Sequence, residues 1–153
     1  MHSEIKAYQR LQFHGLSDKG YIPQFHGVID DFDRDLLPSP APACVEESLG
    51  ACAILLEYIP GLQQLNAETY TEERWETVLR ILGKIHEAGV LHNDAGQYNI
   101  GFSMGEERVL WLDFDMATTF DEQSGRTRWQ QEQLMAQEME IVASMLDSAY
   151  GNA

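Results

Sequence analysis

His92-Asn93-Asp94-Ala95-Gly96-Gln97-Tyr98-Asn99 and, one hairpin later, Leu110-Trp111-Leu112-Asp113-Phe114-Asp115 are the two stretches that decide how this chain is read. The first has the form H-x-D-x-x-x-x-N, and the second is an apolar strand ending in D-F-x. Transfer of a phosphoryl group to a hydroxyl needs a carboxylate beside the attacking oxygen and oxygen ligands that hold magnesium against a triphosphate. Asp94 supplies the carboxylate, and Asn99 and Asp113 supply the ligands.

The surrounding elements come in an order that suits such a site. Upstream, Trp75, Val78, Leu79, Leu82, Ile85 and His86 fall at helical spacing and predict a helix over Glu72 to Ala88. Thr69 with Glu72 fits a capping box, and Gly89 is the expected stop. On the apolar face of that helix, His86 reads as a satisfied core histidine. Downstream, Ile100 to Ser103 and Val109 to Leu112 predict a hairpin turning near Gly105. Beyond it, Met135, Met139, Val142, Leu146 and Ala149 share one face of a helix from about Arg128 to Tyr150, a face suited to core or interface. Nearer the start, Ser3 to Phe13 is helical and Phe25 to Ile29 a strand. Asp30 to Gly50, with four aspartates and three prolines, is a solvated acidic loop rather than a calcium site. The apolar run Ala51 to Ile59, closed by Pro60-Gly61, predicts a strand buried on both faces. The sum is an α+β layout of about four strands.

Composition narrows the class. The 153 residues carry 44% hydrophobic side chains, enough for one globular domain with a core. A net charge of −15 repels phosphate backbones and anionic headgroups, so no nucleic acid and no membrane are expected as partners. The longest apolar runs fall far short of the roughly 20 residues of a membrane helix. The opening residues show no secretory pattern, which predicts an intracellular, cytoplasmic location. Cys44 and Cys52 form no C-x-x-C pair and read as reduced thiols.

Together the two motifs resemble those of the protein-kinase-like superfamily, with some similarity to aminoglycoside-phosphotransferase-type kinases. The resemblance runs from about Glu4 to Phe120. It implies a protein-kinase-like fold, mainly the large lobe with a remnant of the small-lobe sheet. In this scheme a single kinase-like domain spans 1–153, with 1–59 as small-lobe remnant and hinge and 60–153 as large lobe. It implies Asp94 as catalytic base, Asn99 and Asp113 as metal ligands, and His92 as a brace of the catalytic loop. Leu56-Glu57-Tyr58-Ile59 would be the hinge strand pairing with adenine, and Glu4 the helix glutamate that supports an ATP-anchoring lysine. The bare residue reading of Glu4 is a surface acid favoured by the helix dipole. ATP and Mg2+ are the implied cofactors.

The chain departs from the pattern in several places. Only three residues precede Glu4, leaving no room for a glycine-rich loop and strand lysine, and none of Lys6, Lys19 and Lys84 lies in an apolar strand. The resemblance therefore implies a truncated domain of weak nucleotide binding and reduced activity. An exposed apolar patch on the first helix and on Phe25 to Ile29 is also expected, covered by a protein partner or a homodimer. Asn93 stands where an arginine is usual, Gly96 where many such enzymes have lysine, and Asp115 where glycine follows D-F. The alternatives are a pseudokinase-type interaction module without turnover and a magnesium-dependent hydrolase on the same three residues.

Overall fold

The computed structural model describes residues 2–29, 53–105, 107–121 and 125–150. Three α-helices and seven short strands are found among them: α1 His2–Phe13, β1 Phe25–Ile29, β2 Ala53–Leu56, β3 Leu62–Gln64, α2 Glu72–Glu87, β4 Val90–Leu91, β5 Ile100–Ser103, β6 Arg108–Trp111, β7 Thr118–Thr119 and α3 Arg128–Tyr150. The strands pair antiparallel as β1-β2, β3-β5-β6 and β4-β7. The architecture is thus α+β. More strands form than the expected four, because β3, β4 and β7 are too short to show a period in the sequence.

Helix α2 is the spine of the core. Trp75, Val78, Ile81, Leu82 and Ile85 are buried, and each such side chain contributes roughly 1.5–3 kcal/mol relative to exposure. They pack against β6 and α3, and the indole Nε1 of Trp111 in β6 donates to the Val78 carbonyl at 3.1 Å. The N-cap is Thr71, whose hydroxyl accepts from Arg74 N, rather than the expected Thr69. Thr69 instead closes a turn with Asn66, donating its backbone N–H to the Asn66 side chain. Gly89, at φ 77, ends the helix as expected, in a conformation that favours glycine.

Helix α1 buries Ala7, Tyr8 and Leu11. Arg10 reaches across to the carbonyls of Ala88 and Phe120 at 3.5 and 3.3 Å, and Lys6 pairs with Asp121 at 2.5 Å. These contacts fix α1 against the segment that follows Asp113.

The apolar run before Pro60 is not buried on both faces. The strand is Ala53–Leu56, Leu55 is 42% and Tyr58 86% exposed, and among the described residues β2 pairs with β1 alone. A two-stranded ladder provides little burial of its own. Phe13, 86% exposed, and Ile29, 42% exposed, lie where the sequence places an apolar patch. In α3, Val142 is buried and Met139 packs on the core, as its stripe predicts, whereas the side chains of Leu146 and Ala149 lie outside the described residues. So do Cys44, Cys52 and the acidic loop.

Candidate functional site

The hairpin β5-β6 brings the two motif segments together. Its register pairs Ile100 with Trp111, and the ladder continues one step further, with Leu112 N donating to the Asn99 carbonyl at 2.8 Å. Asn99 therefore lies opposite Leu112, one residue from Asp113. On the other side, the Asn99 side-chain amide donates to the Asp94 carbonyl at 2.8 Å and to Asp94 Oδ2 at 3.1 Å. All three residues named by the sequence thus gather at the mouth of one hairpin.

His92 ties the segments a second time. Fully buried, it meets the Leu112 carbonyl through Nε2 at 2.9 Å, and its ring lies 4.7 Å from that of Phe114 and 5.2 Å from that of Trp111. Burial pushes its pKa down, against the Leu112 carbonyl and the nearby acids, so the ring is held neutral. Phe114 is buried between His92 and Tyr8, whose ring it meets edge-on at 5.2 Å. The aromatic of the D-F-D turn is therefore a packing peg that locates Asp113.

Asp113 and Asn93 both adopt left-handed backbone, at φ 57 and 64. Asp and Asn tolerate this region better than most residues. Asn93 is further held by its amide, which donates to the Met116 carbonyl at 2.9 Å and to the Thr118 hydroxyl at 2.8 Å. It binds the His92–Asn99 loop to the strand after D-F-D without a charge.

Three side chains that the motif reading passed over complete the site. Glu138 of α3 is buried, and its carboxylate accepts from the backbone N–H of His92 at 3.1 Å and of Asn93 at 2.6 Å, while His86 meets it at 2.7 Å. Burial opposes its charge, but these partners outweigh burial and hold its pKa below the ordinary carboxylate range. The hydroxyl of Tyr98 donates to Asp94 Oδ1. Arg108 makes a two-pronged ion pair with Glu57, 2.9 Å on each side, and Glu57 also accepts from Gln24 N at 3.0 Å. Hydrogen bonding by Arg108 draws the Glu57 pKa down to about 2. His86 is a satisfied core histidine, as its place on the apolar face of α2 predicts; its partner, 52 residues away, has no sequence signal.

Two cavities flank this centre. One, of about 460 Å³, is lined by Leu56, Glu57, Tyr58 and Ile59 together with Leu112, the residue before Asp113. The other, of about 420 Å³, opens between the His92–Asn99 loop and α3 and is lined by Asp94, Tyr98, Leu134, Gln137 and Ile141. Glu4 lies near the centre too. Burial first, and then the charge of Asp113, push its pKa up, and among the described residues no lysine pairs with it.

Among the described residues no group of three or more His, Cys, Asp and Glu is arranged to hold a metal alone. The donor set does fit magnesium completed by phosphate oxygens. Both hydrogen bonds of the Asn99 amide nitrogen go to Asp94, so it is the side-chain oxygen that would face a cation beside Asp113. Oxygen donors of this kind suit a hard cation. The nearby carboxylates Glu4 and Asp115 add negative charge.

Comparison with known families decides the ancestry. The family model for the lipopolysaccharide kinase (Kdo/WaaP) family matches residues 43–147. The chain belongs to that family. It is protein-kinase-like, as the two motifs led us to expect. A 3-deoxy-D-manno-octulosonic acid kinase of Haemophilus influenzae is 31% identical over 117 residues, covering 69% of this chain and 48% of that protein. Its namesake from Xanthomonas campestris pv. campestris is 31% identical over 103 residues, covering 64% and 40%. The chain therefore spans about half, or less, of the length of the curated relatives it matches. Among the described residues, no helix is long and apolar enough to cross a membrane.

Proposed function

We propose that this chain is a kinase-like phosphotransferase that moves the γ-phosphoryl group of ATP to a hydroxyl, with a sugar of the 3-deoxy-octulosonic acid class as acceptor. The acceptor class is taken from the names of the relatives. The observation that carries the reading is the convergence of Asp94, Asn99 and Asp113 on the mouth of one hairpin. In this reading Asp94 takes the proton of the acceptor hydroxyl as its oxygen attacks phosphorus. The bond from phosphorus to the bridging oxygen of ADP breaks, and ADP leaves. Magnesium, held by Asn99 and Asp113, supplies charge neutralisation along the triphosphate when bound. The cavity at Leu56 to Ile59 receives the nucleotide base, and the cavity between Asp94 and α3 receives the acceptor. His92 braces the loop, and Glu4 contributes negative charge near the cation.

The proposal extends to organisation: residues 1–59 belong to a small lobe and hinge, 60–153 to the large lobe, in one domain with a cytoplasmic site of action. The separate β1-β2 pair, and the packing of α2 against α3 and β6, support this division. Among the described residues no lysine or arginine bonds Asp94, Asn99 or Asp113, which supports modest affinity for the triphosphate.

Calorimetry with magnesium and ATP, and phosphate transfer to the sugar acid, test the reading. Asp113→Asn should abolish magnesium-dependent nucleotide binding, and Asp94→Asn should leave binding intact while lowering turnover at least ~100-fold. A folded wild-type protein that binds no nucleotide would overturn the assignment and leave an interaction module. ATP hydrolysis without transfer to any hydroxyl compound would favour the hydrolase.

A further inference from the structure

The catalytic-loop turn contains a pair of residues that fit each other closely. Gly96 has extended backbone, φ −86 and ψ 161, a conformation open to any residue, so its backbone does not demand glycine. The space does. A Cβ on Gly96 would lie 2.6 Å from Cζ and 3.0 Å from Cδ1 of Tyr98, because the Tyr98 ring lies directly over this position. From there the phenol reaches Asp94 and donates to Oδ1, while Asn99 donates to Oδ2.

The ring is 57% exposed, so hydrophobic burial does not account for its position. Its backbone is fixed separately, through Gln64 Nε2 donating to the Tyr98 carbonyl at 3.1 Å. The hydrogen bond to Asp94 raises the Tyr98 pKa, which keeps the hydroxyl protonated as a donor. Tyr98, Gly96 and Asp94 all line the 420 Å³ cavity beside α3.

A carboxylate held by one donor on each oxygen has its plane fixed, and each oxygen retains acceptor capacity for a further proton. We propose that Tyr98 is a positioning residue for Asp94: its hydroxyl, seated in the space that Gly96 leaves open, locks the carboxylate in the orientation that receives the acceptor hydroxyl. The inference rests on the phosphotransferase reading above. Asn99 alone would fix one oxygen and leave the carboxylate to swing about that contact, and a misplaced base loses rate steeply.

Tyr98→Phe, Gly96→Ala and the double variant, assayed with magnesium, ATP and the sugar acid, provide the test. Removing the hydroxyl should lower kcat and kcat/KM for the acceptor together by about tenfold, with magnesium-ATP binding and thermal midpoint unchanged. Gly96→Ala, which displaces the ring, should produce the same loss, and the double variant should be no worse than either alone, since both remove one interaction. A separate reading uses carbon-labelled tyrosine: the Tyr98 phenol resonance should move between wild type and Asp94→Asn. Unchanged or raised kcat in Tyr98→Phe, additive losses, or an unmoved resonance would each overturn the positioning role. Wild-type protein with no transfer at all would overturn the phosphotransferase reading and this inference with it, an outcome distinct from active enzyme indifferent to Tyr98.

Discussion

His86 of α2 and Glu138 of α3 meet at 2.7 Å, Nε2 to Oε2, with both side chains 9% exposed. The pair joins two helices that lie far apart in sequence. Through the other contacts of Glu138, it also holds the backbone N–H groups of His92 and Asn93. Loop geometry is therefore set from α3.

Replacing Glu138 should be costly. Glu138→Ala leaves two loop N–H groups and a histidine without their acceptor, at about 3–5 kcal/mol of stability, and Glu138→Gln should cost less because the amide oxygen still accepts. The folded pKa is depressed. The carboxylate thus contributes fully above the ordinary glutamate value of 4.5, and loses that contribution as pH falls through its lower folded value. Urea midpoints of wild type and Glu138→Gln should differ at pH 7 and draw together in acid.

Glu57 and Arg108 should behave alike, in a range that is easier to define. With the Glu57 pKa near 2 in the fold, the pair's contribution is present above about pH 4.5 and declines as pH falls toward 2. Because both side chains are partly exposed, at 26% and 19%, the expected cost of Glu57→Gln at pH 7 is about 1 kcal/mol. A gap between the two denaturation midpoints that widened in acid would contradict this.

His92 should impose a dependence near neutrality. Its folded pKa is lowered by burial, so the unfolded chain binds more protons below about pH 6.5 and stability falls as pH drops from there. Wild type should lose stability between about pH 6.5 and 5 more steeply than His92→Gln, although the variant is less stable at pH 7.5 by about 2 kcal/mol for the repacked, unpaired site. Thermal midpoints across that interval measure both effects.

At Asn93, backbone and side chain make separate demands. Asn93→Gly keeps the left-handed backbone and loses only the bonds to Met116 and Thr118, at about 1 kcal/mol, whereas Asn93→Ala should lose about 2 kcal/mol. Chemical denaturation should rank the two in that order. Equal stability would show that the amide bonds, rather than the positive φ, set the residue.

Much of the site is local, and that part was legible. Asp94 and Asn99 are five residues apart on one turn, and Asp113 follows at the end of a hairpin whose second strand is the apolar run Val109 to Leu112. The α2 stripe likewise showed which face goes inward, apart from Ile81, which is also buried. Capping was harder to place, since Thr69 and Thr71 are both good caps and only the path of the turn at Asn66 selects Thr71. The strand before Pro60 was misjudged because an apolar run reports a preference for burial, while burial itself depends on how many layers are available.

Two short motifs, in order, carry the acids and the amide that the proposed phosphoryl transfer would use, and they are readable along the chain. What holds them is visible only in three dimensions. Glu138 reaches the loop from 45 residues away, Arg108 reaches Glu57 across 51, and the Tyr98 ring lies over Gly96, where a Cβ would meet it. Such contacts leave no periodic trace in the chain, since a hydrogen bond between distant residues is specified by where two backbones pass in space, not by spacing along one of them.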